Sequence, residues 1–199
     1  MRFITVAVAC VALCAASANA GITGYTINND GDGAINCALD SWIDEGEATY
    51  SMTIVGDQFW SPGHMVGEFV APEDPSVRVR NIINNDTTFA WTSYRVNVYM
   101  NKVFTISTAP ADLLVYGPAG WTATLTQQAA PIVGGQYMAI IDYTGAAPLA
   151  INDTLDFGYK MSFLGSIQYC QEMIPIPEPA TMSLLAIGGL AALLRRKRN

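Results

Sequence analysis

The chain is poor in the residues that build reactive centres. It has one histidine, four cysteines and 14% charged side chains in 199 residues, against about 25% charged residues in an ordinary globular chain. The lone histidine, His64, lies in Pro62-Gly63-His64-Met65. Zinc centres need clustered histidine and cysteine ligands, which this pattern does not provide. A serine hydrolase would need a Gly-x-Ser-x-Gly elbow for His64 to serve, and none occurs. His64 therefore reads as a solvated loop residue. No lysine or arginine falls between residues 21 and 77, a stretch that holds ten carboxylates. A surface of this sign repels phosphate backbones, which excludes nucleic acid as a partner. Residues 21–176 also lack a long apolar run of helical period and a repeat of fixed length. That excludes helical bundles and solenoids.

What is present begins with an address. Met1-Arg2-Phe3, an apolar core from Ile4 to Ala16 and the triplet Ala18-Asn19-Ala20 have the order of a secretory signal peptide over residues 1–20, cut before Gly21. The core is shorter than the ~20 residues of a membrane span. Leu13 ahead of Cys14 argues against lipid attachment at that cysteine. Cleavage removes Cys10 and Cys14 and leaves Cys37 and Cys170. Export makes a Cys37–Cys170 disulfide the expectation, with two buried thiols as the alternative. Closing so long a loop would stabilise by up to ~5 kcal/mol on the chain-entropy account. Residues 21–176 carry sixteen Asp and Glu against five Lys and Arg, a net charge of −11.

From Ala48 onward the apolar residues alternate. Tyr50, Met52 and Ile54 face away from Thr49, Ser51 and Thr53, and Val77 and Val79 face away from Arg78 and Arg80. Further runs of this kind are 92–100, 103–107, 113–116, 121–126, 137–143, 154–163 and 166–173, parted by Pro/Gly turns such as Gly117-Pro118-Ala119-Gly120. Many short strands with one wet face predict an all-β fold, an antiparallel β-sandwich of jelly-roll or Ig-like kind over residues 21–173, with a closed barrel as the alternative. The one stretch with helical spacing is Leu39 to Glu45. Residues 174–179 read as a Pro-rich linker.

Four constellations bear on ligands. Asn28, Asp30, Asp32 and Asn36 place oxygen side chains at alternate positions around Gly33, as in the first part of a calcium loop, with Asp40 as the late carboxylate. The competing reading is an Asn/Asp/Gly turn. Trp42, Trp60, Trp91 and Trp121 could stack on sugars or fill a core, and Trp60, beside Phe59 and Ser61-Pro62, is the candidate glycan contact. Asp44, Glu45 and Glu47, or Glu73 and Asp74, supply the paired carboxylates of a glycan hydrolase, and solvated loops explain them equally well. Asn85-Asp86-Thr87 and Asn152-Asp153-Thr154 match the glycosylation sequon but read as turns.

The end of the chain has three parts. Pro177-Glu178-Pro179 is held extended by its prolines. Ala180 to Leu194 is apolar except for Thr181 and Ser183 and suits a helix in lipid. Arg195-Arg196-Lys197-Arg198 stays on the cytoplasmic side. In this order the parts resemble the PEP-CTERM sorting signal of bacterial exported proteins over residues 177–198. The resemblance implies signal peptidase and exosortase as partners, a single transmembrane helix at 180–194 in the inner membrane, and a basic tail at 195–199. It further implies cleavage near Pro177-Glu178-Pro179 and delivery to the cell surface or an exopolysaccharide matrix. The expected function is structural or adhesive with no active site. The alternative is a carbohydrate-binding module for matrix polysaccharide, stabilised by calcium. Tails of this kind also carry the name of an ice-binding protein C-terminal domain, but no regular threonine array of the sort ice binding needs is expected here.

Overall fold

The computed structural model describes residues 21–71 and 74–178. The expected signal peptide, Glu73, Pro179, the apolar run 180–194 and the basic residues Arg195 to Arg198 lie outside the described residues. Twelve strands follow one another: β1 Gly24–Asn29, β2 Ile35–Gly46, β3 Thr49–Gln58, β4 Gly63–Val70, β5 Ser76–Asn85, β6 Trp91–Met100, β7 Phe104–Ile106, β8 Leu114–Gly117, β9 Trp121–Pro131, β10 Tyr137–Leu149, β11 Thr154–Phe163 and β12 Ile167–Pro177. Among the described residues there is no helix. The strands form two sheets. The first has the order β1-β4-β12-β6-β10-β9, and the second β2-β3-β5-β11-β7 with β8 also on β11.

The pairing is antiparallel with one departure from expectation: β3 and β5 run parallel. Parallel neighbours need a crossover between them. Here β4 supplies it, leaving the second sheet to pair with β1 and β12 in the first before the chain returns as β5.

The stretch with helical spacing, Leu39 to Glu45, is the body of β2. Opposite β3, Leu39 pairs with Ile54 and Ser41 with Thr53, so Asp40 is an extra, bulged residue. Ile35 and Cys37 are buried, and beyond the bulge the half-buried apolar residue moves to Trp42. A strand that slips by one residue imitates a three-residue period. The turn after it, Glu47-Ala48, has φ of 50° and 54°. That is a type I′ geometry made without Asn or Gly, so no turn signal marks the hairpin.

The expected linker 174–179 is also strand. β12 continues beyond Met173, with Ile174 opposite Arg95, Pro175 opposite Tyr94 and Pro177 opposite Trp91. Thr92 Oγ1 donates to the carbonyls of Ile176 and Pro177 at 3.3 and 3.4 Å. Proline is tolerated because the two ring nitrogens need no ladder partner and the intervening residues keep the pairing.

The facing sides of the sheets share one aromatic core. Phe157 of β11 meets Tyr143 at 4.5 Å and Tyr94 at 5.4 Å, both from the first sheet. Phe69 of β4 lies 5.6 Å from Phe163 of β11. Buried polar groups pin the layers. The hydroxyls of Tyr159 and Tyr169 and Oε1 of Gln171 form a triangle with sides of 2.6, 2.6 and 2.8 Å, and Gln171 Nε2 donates to Asn81 Oδ1 of the second sheet at 3.0 Å. Gln58 Nε2 donates to the carbonyls of Trp60 and Met173, while its Oε1 accepts from Tyr94 Oη.

At one end of the layers Asn85, fully buried, closes three chain segments. Its Nδ2 donates to the carbonyls of Phe89, Ala150 and Leu149, and its Oδ1 accepts from the amide and hydroxyl of Thr87. Trp91 Nε1 then donates to Thr87 Oγ1 at 3.0 Å. Asn85 of the first sequon is thus a structural residue out of reach of solvent. Removing it leaves several buried groups without partners, each costly. Asn85→Ala is expected to destabilise by about 2–4 kcal/mol, read as a lower urea midpoint at unchanged slope.

Candidate functional site

The outer face of the first sheet carries a row of polar side chains at matched register. His64 of β4 stands opposite Glu172 of β12, and Glu172 opposite Asn97 of β6. Asp30, just past the end of β1, completes the row: its amide donates to the His64 carbonyl at 3.4 Å, and its Oδ2 lies 3.2 Å from His64 Nδ1. The other ring nitrogen, Nε2, lies 3.5 Å from Glu172 Oε1. Glu172 Oε2 accepts from Asn97 Nδ2 at 2.7 Å and from Tyr99 Oη at 2.9 Å. His64 is therefore a strand residue held between two carboxylates, not a solvated loop residue. Burial and the Glu172 bond push the Tyr99 hydroxyl up to about 12. Asn97 is 8% exposed, and its Oδ1 has no partner.

The next row holds Asn28, Val66, Cys170 and Tyr99, again in register. Together with Glu68 and Gln168 they line an open concavity of about 380 Å³. Both ring nitrogens of His64 are engaged by carboxylates, and no serine or cysteine side chain is among their partners. The arrangement is a ladder of polar side chains running from Asp30 through His64 and Glu172 to Asn97 and Tyr99.

Of the calcium candidates, the structure brings together Asp30 and Asp32 and adds His64. One ligand atom from each lies within 4.8 Å of the others. The turn itself is satisfied internally: Asp30 Oδ1 accepts from the Asp32 amide, and Asp32 Oδ1 from the Ala34 amide at 2.7 Å. Asn36 and Asp40 do not join. They lie on β2, where four residues of extended chain span about 13 Å. A calcium loop would curl into a helix at this point, and this chain continues as a strand.

Cys37 and Cys170 are free thiols, contrary to the expected disulfide. Cys37 is buried on the core side of β2, whereas Cys170 takes its place in the outer row of β12 between inward Tyr169 and Gln171. Burial pushes each thiol up to about 11, with nearby carboxylates adding to the shift.

The tryptophans divide unevenly. Trp91 and Trp121 are core, and Trp42 is packed between Tyr25 at 4.1 Å and Tyr50 at 5.4 Å. Trp60 alone is open, at 64% exposure. Among the carboxylate pairs, Glu45 contacts Ser51 and Arg78 on the second sheet, and Asp44 caps the Gly46 amide. Thr122, Thr124 and Thr126 alternate along the exposed side of edge strand β9 as a short array. The Arg95–Asp142 pair at 2.7 Å interrupts its continuation across the sheet.

Glu172, Tyr99, Asn97 and Cys170 were not legible as a group. Asn97 and Tyr99 alternate on β6 and Cys170 and Glu172 on β12, but Asn97 and Glu172 are 75 residues apart and no local spacing links the two pairs. Strand register alone does so.

Residues 175–198 match the PEP-CTERM protein-sorting motif. No curated protein and no solved structure matches the chain. The match begins within β12, so the motif and the folded domain overlap at Pro175, Ile176 and Pro177.

Two outcomes test the site. A chain lacking residues 1–20, unfolded without reductant, is expected to yield both thiols to Ellman's reagent. The folded form is expected to react slowly at pH 8, where a thiol near 11 is about one part in a thousand thiolate. No titratable thiol after unfolding would restore the disulfide. Millimolar calcium is expected to leave the melting temperature unchanged, and a rise of several degrees would assign calcium to the Asp30–Asp32 turn.

Proposed function

We propose that this is an exported protein held at the inner membrane by its tail, presented to an exosortase, and passed on as an all-β domain with structural or adhesive work at the cell surface or in the extracellular matrix. The observation that carries the reading is the sorting motif at residues 175–198, which points to export and exosortase-dependent sorting. In this reading the fold is a β-sandwich, its two sheets serving as a stable body rather than as a scaffold for catalysis. Supporting it, His64 is committed to Asp30 and Glu172, and the carboxylates nearest in sequence cap turns or pair with arginine.

Glycan binding is the second reading, favoured by one observation, the open ring of Trp60 beside Phe59, itself 36% exposed. A stacking site built on a single tryptophan would hold a sugar weakly, since each stacked aromatic pair contributes only about 0.5–1.5 kcal/mol beyond its burial.

The test is replacement of Pro177, Glu178 and Pro179 by alanine in the producing cell. The parent chain is expected to pass from the membrane fraction to the outer surface or medium with a loss of tail mass, and to sediment with extracellular polymer. The variant is expected to stay at full length in the membrane fraction. Identical fractionation of the two would overturn the sorting reading.

A further inference from the structure

We propose that the end of the domain from which the chain leaves toward its tail is a membrane-docking surface, with the Trp60 indole in the headgroup layer of the bilayer. The inference rests on the reading that the apolar run 180–194 enters that bilayer.

The geometry begins with reach. β12 is paired as far as Pro177, and only Glu178 and Pro179 precede Ala180. Two extended residues reach about 7 Å. Fifteen apolar residues in a helix would cover about 22 Å, less than the ~30 Å of a hydrocarbon core. The shortfall draws the flanking residues inward, and the connection leaves no slack. This end of the domain must then lie at the level of the headgroups.

What stands at that end can be followed through its contacts. Pro177 pairs with Trp91, and Trp91 with Leu149. Asn85 binds the carbonyls of Leu149 and Ala150, and the Asn152 amide donates back to the Asn85 carbonyl at 2.7 Å. The Asp86 amide donates to the Gln58 carbonyl at 3.0 Å, and Gln58 Nε2 holds the carbonyls of Trp60 and Met173. The turns β3–β4, β5–β6 and β10–β11 thus surround the chain exit. Their exposed apolar side chains are Trp60 at 64%, Ile151 at 45% and Phe59 at 36%. An exposed indole suits the interface between headgroups and hydrocarbon, where one end of the ring is wet and the other dry.

Charge sets the kind of lipid. Asp30, Asp32, Asp86, Asp153 and Glu178 occupy the same end, and these turns carry no lysine or arginine. The contact is apolar rather than electrostatic, so it favours a zwitterionic surface over an anionic one.

The experiment reconstitutes the full chain in phosphatidylcholine vesicles containing lipids brominated either near the headgroup or near the chain end, and compares it with Trp60→Phe. The other three tryptophans are core or stacked, so the difference reports Trp60. Shallow bromolipids are expected to quench a component of the parent emission that Trp60→Phe lacks, and deep ones to quench it less. Exchanging half the lipid for phosphatidylglycerol is expected to weaken that component. Equal quenching of both proteins, with Trp60 still open to acrylamide, would overturn the inference. So would shielding of Trp60 from acrylamide without bromolipid quenching, which would mark a second copy or another protein as the occupant. Alkaline carbonate extraction separates the two readings: an extractable chain defeats the anchor and this inference with it, whereas a resistant chain with a water-exposed Trp60 defeats the docking surface alone.

Discussion

The side-chain amide of Gln171 ties the two layers together. It sits fully buried on β12, accepts from two tyrosine hydroxyls and donates to Asn81 of the opposite sheet. Within the oxygen triangle only two protons serve three close contacts, so the group is satisfied in one arrangement of β12 against β5 and β11. A slip of one residue would turn Gln171 outward and bring Cys170 or Glu172 into the core. The same register that buries Gln171 places Glu172 beside His64 on the outer face and Pro177 opposite Trp91. Core, polar row and chain exit are therefore one constraint seen at three depths. Buried amides of this kind add little net stability but penalise every alternative that leaves them unpaired.

The surface obeys a different logic. Arg80 and Arg95 pair with Asp156 and Asp142 on neighbouring strands and Arg78 with Asp112 in the turn before β8, and the three arginine side chains are 41–45% exposed. Pairs this wet contribute little each. They do use up most of the few cations in the domain, and leave the turns and β2 to carry unneutralised carboxylates. Net charge of one sign makes copies of such a domain repel one another.

How much of this could be read from the residues depends on where the strands get their pattern. β11, Thr154–Phe163, has the bounds that alternation predicts, because its inward residues are large and its outward ones polar. β4 carries no clear alternation because Gly63 and Gly67 dilute it, although Met65 and Phe69 are fully buried. The Gly67 position is not idle: a Cβ there would stand 2.0 Å from the Thr26 carbonyl of β1. β2 was hidden by its bulge and by a hairpin turn made from Glu47 and Ala48. The tail could be read because its signal is contiguous. The His64 row could not, since Glu172 and Asn97 join Asp30 and His64 only when β12 enters between β4 and β6.

That entry has a consequence for the life of the molecule. β12 is the last of the described strands, yet it lies third in its sheet, with β1 and β4 on one side and β6, β10 and β9 on the other. Among the described residues no other strand joins those halves. Until the final residues are available, the β4 and β6 edges facing β12 stay open, each with a row of unpaired amides and carbonyls that invites aggregation. Closure comes from contacts far apart in the chain, which form slowly. Any cut that frees the domain must fall beyond Pro177, since one made a few residues earlier would begin to unseat the strand that makes the sheet whole.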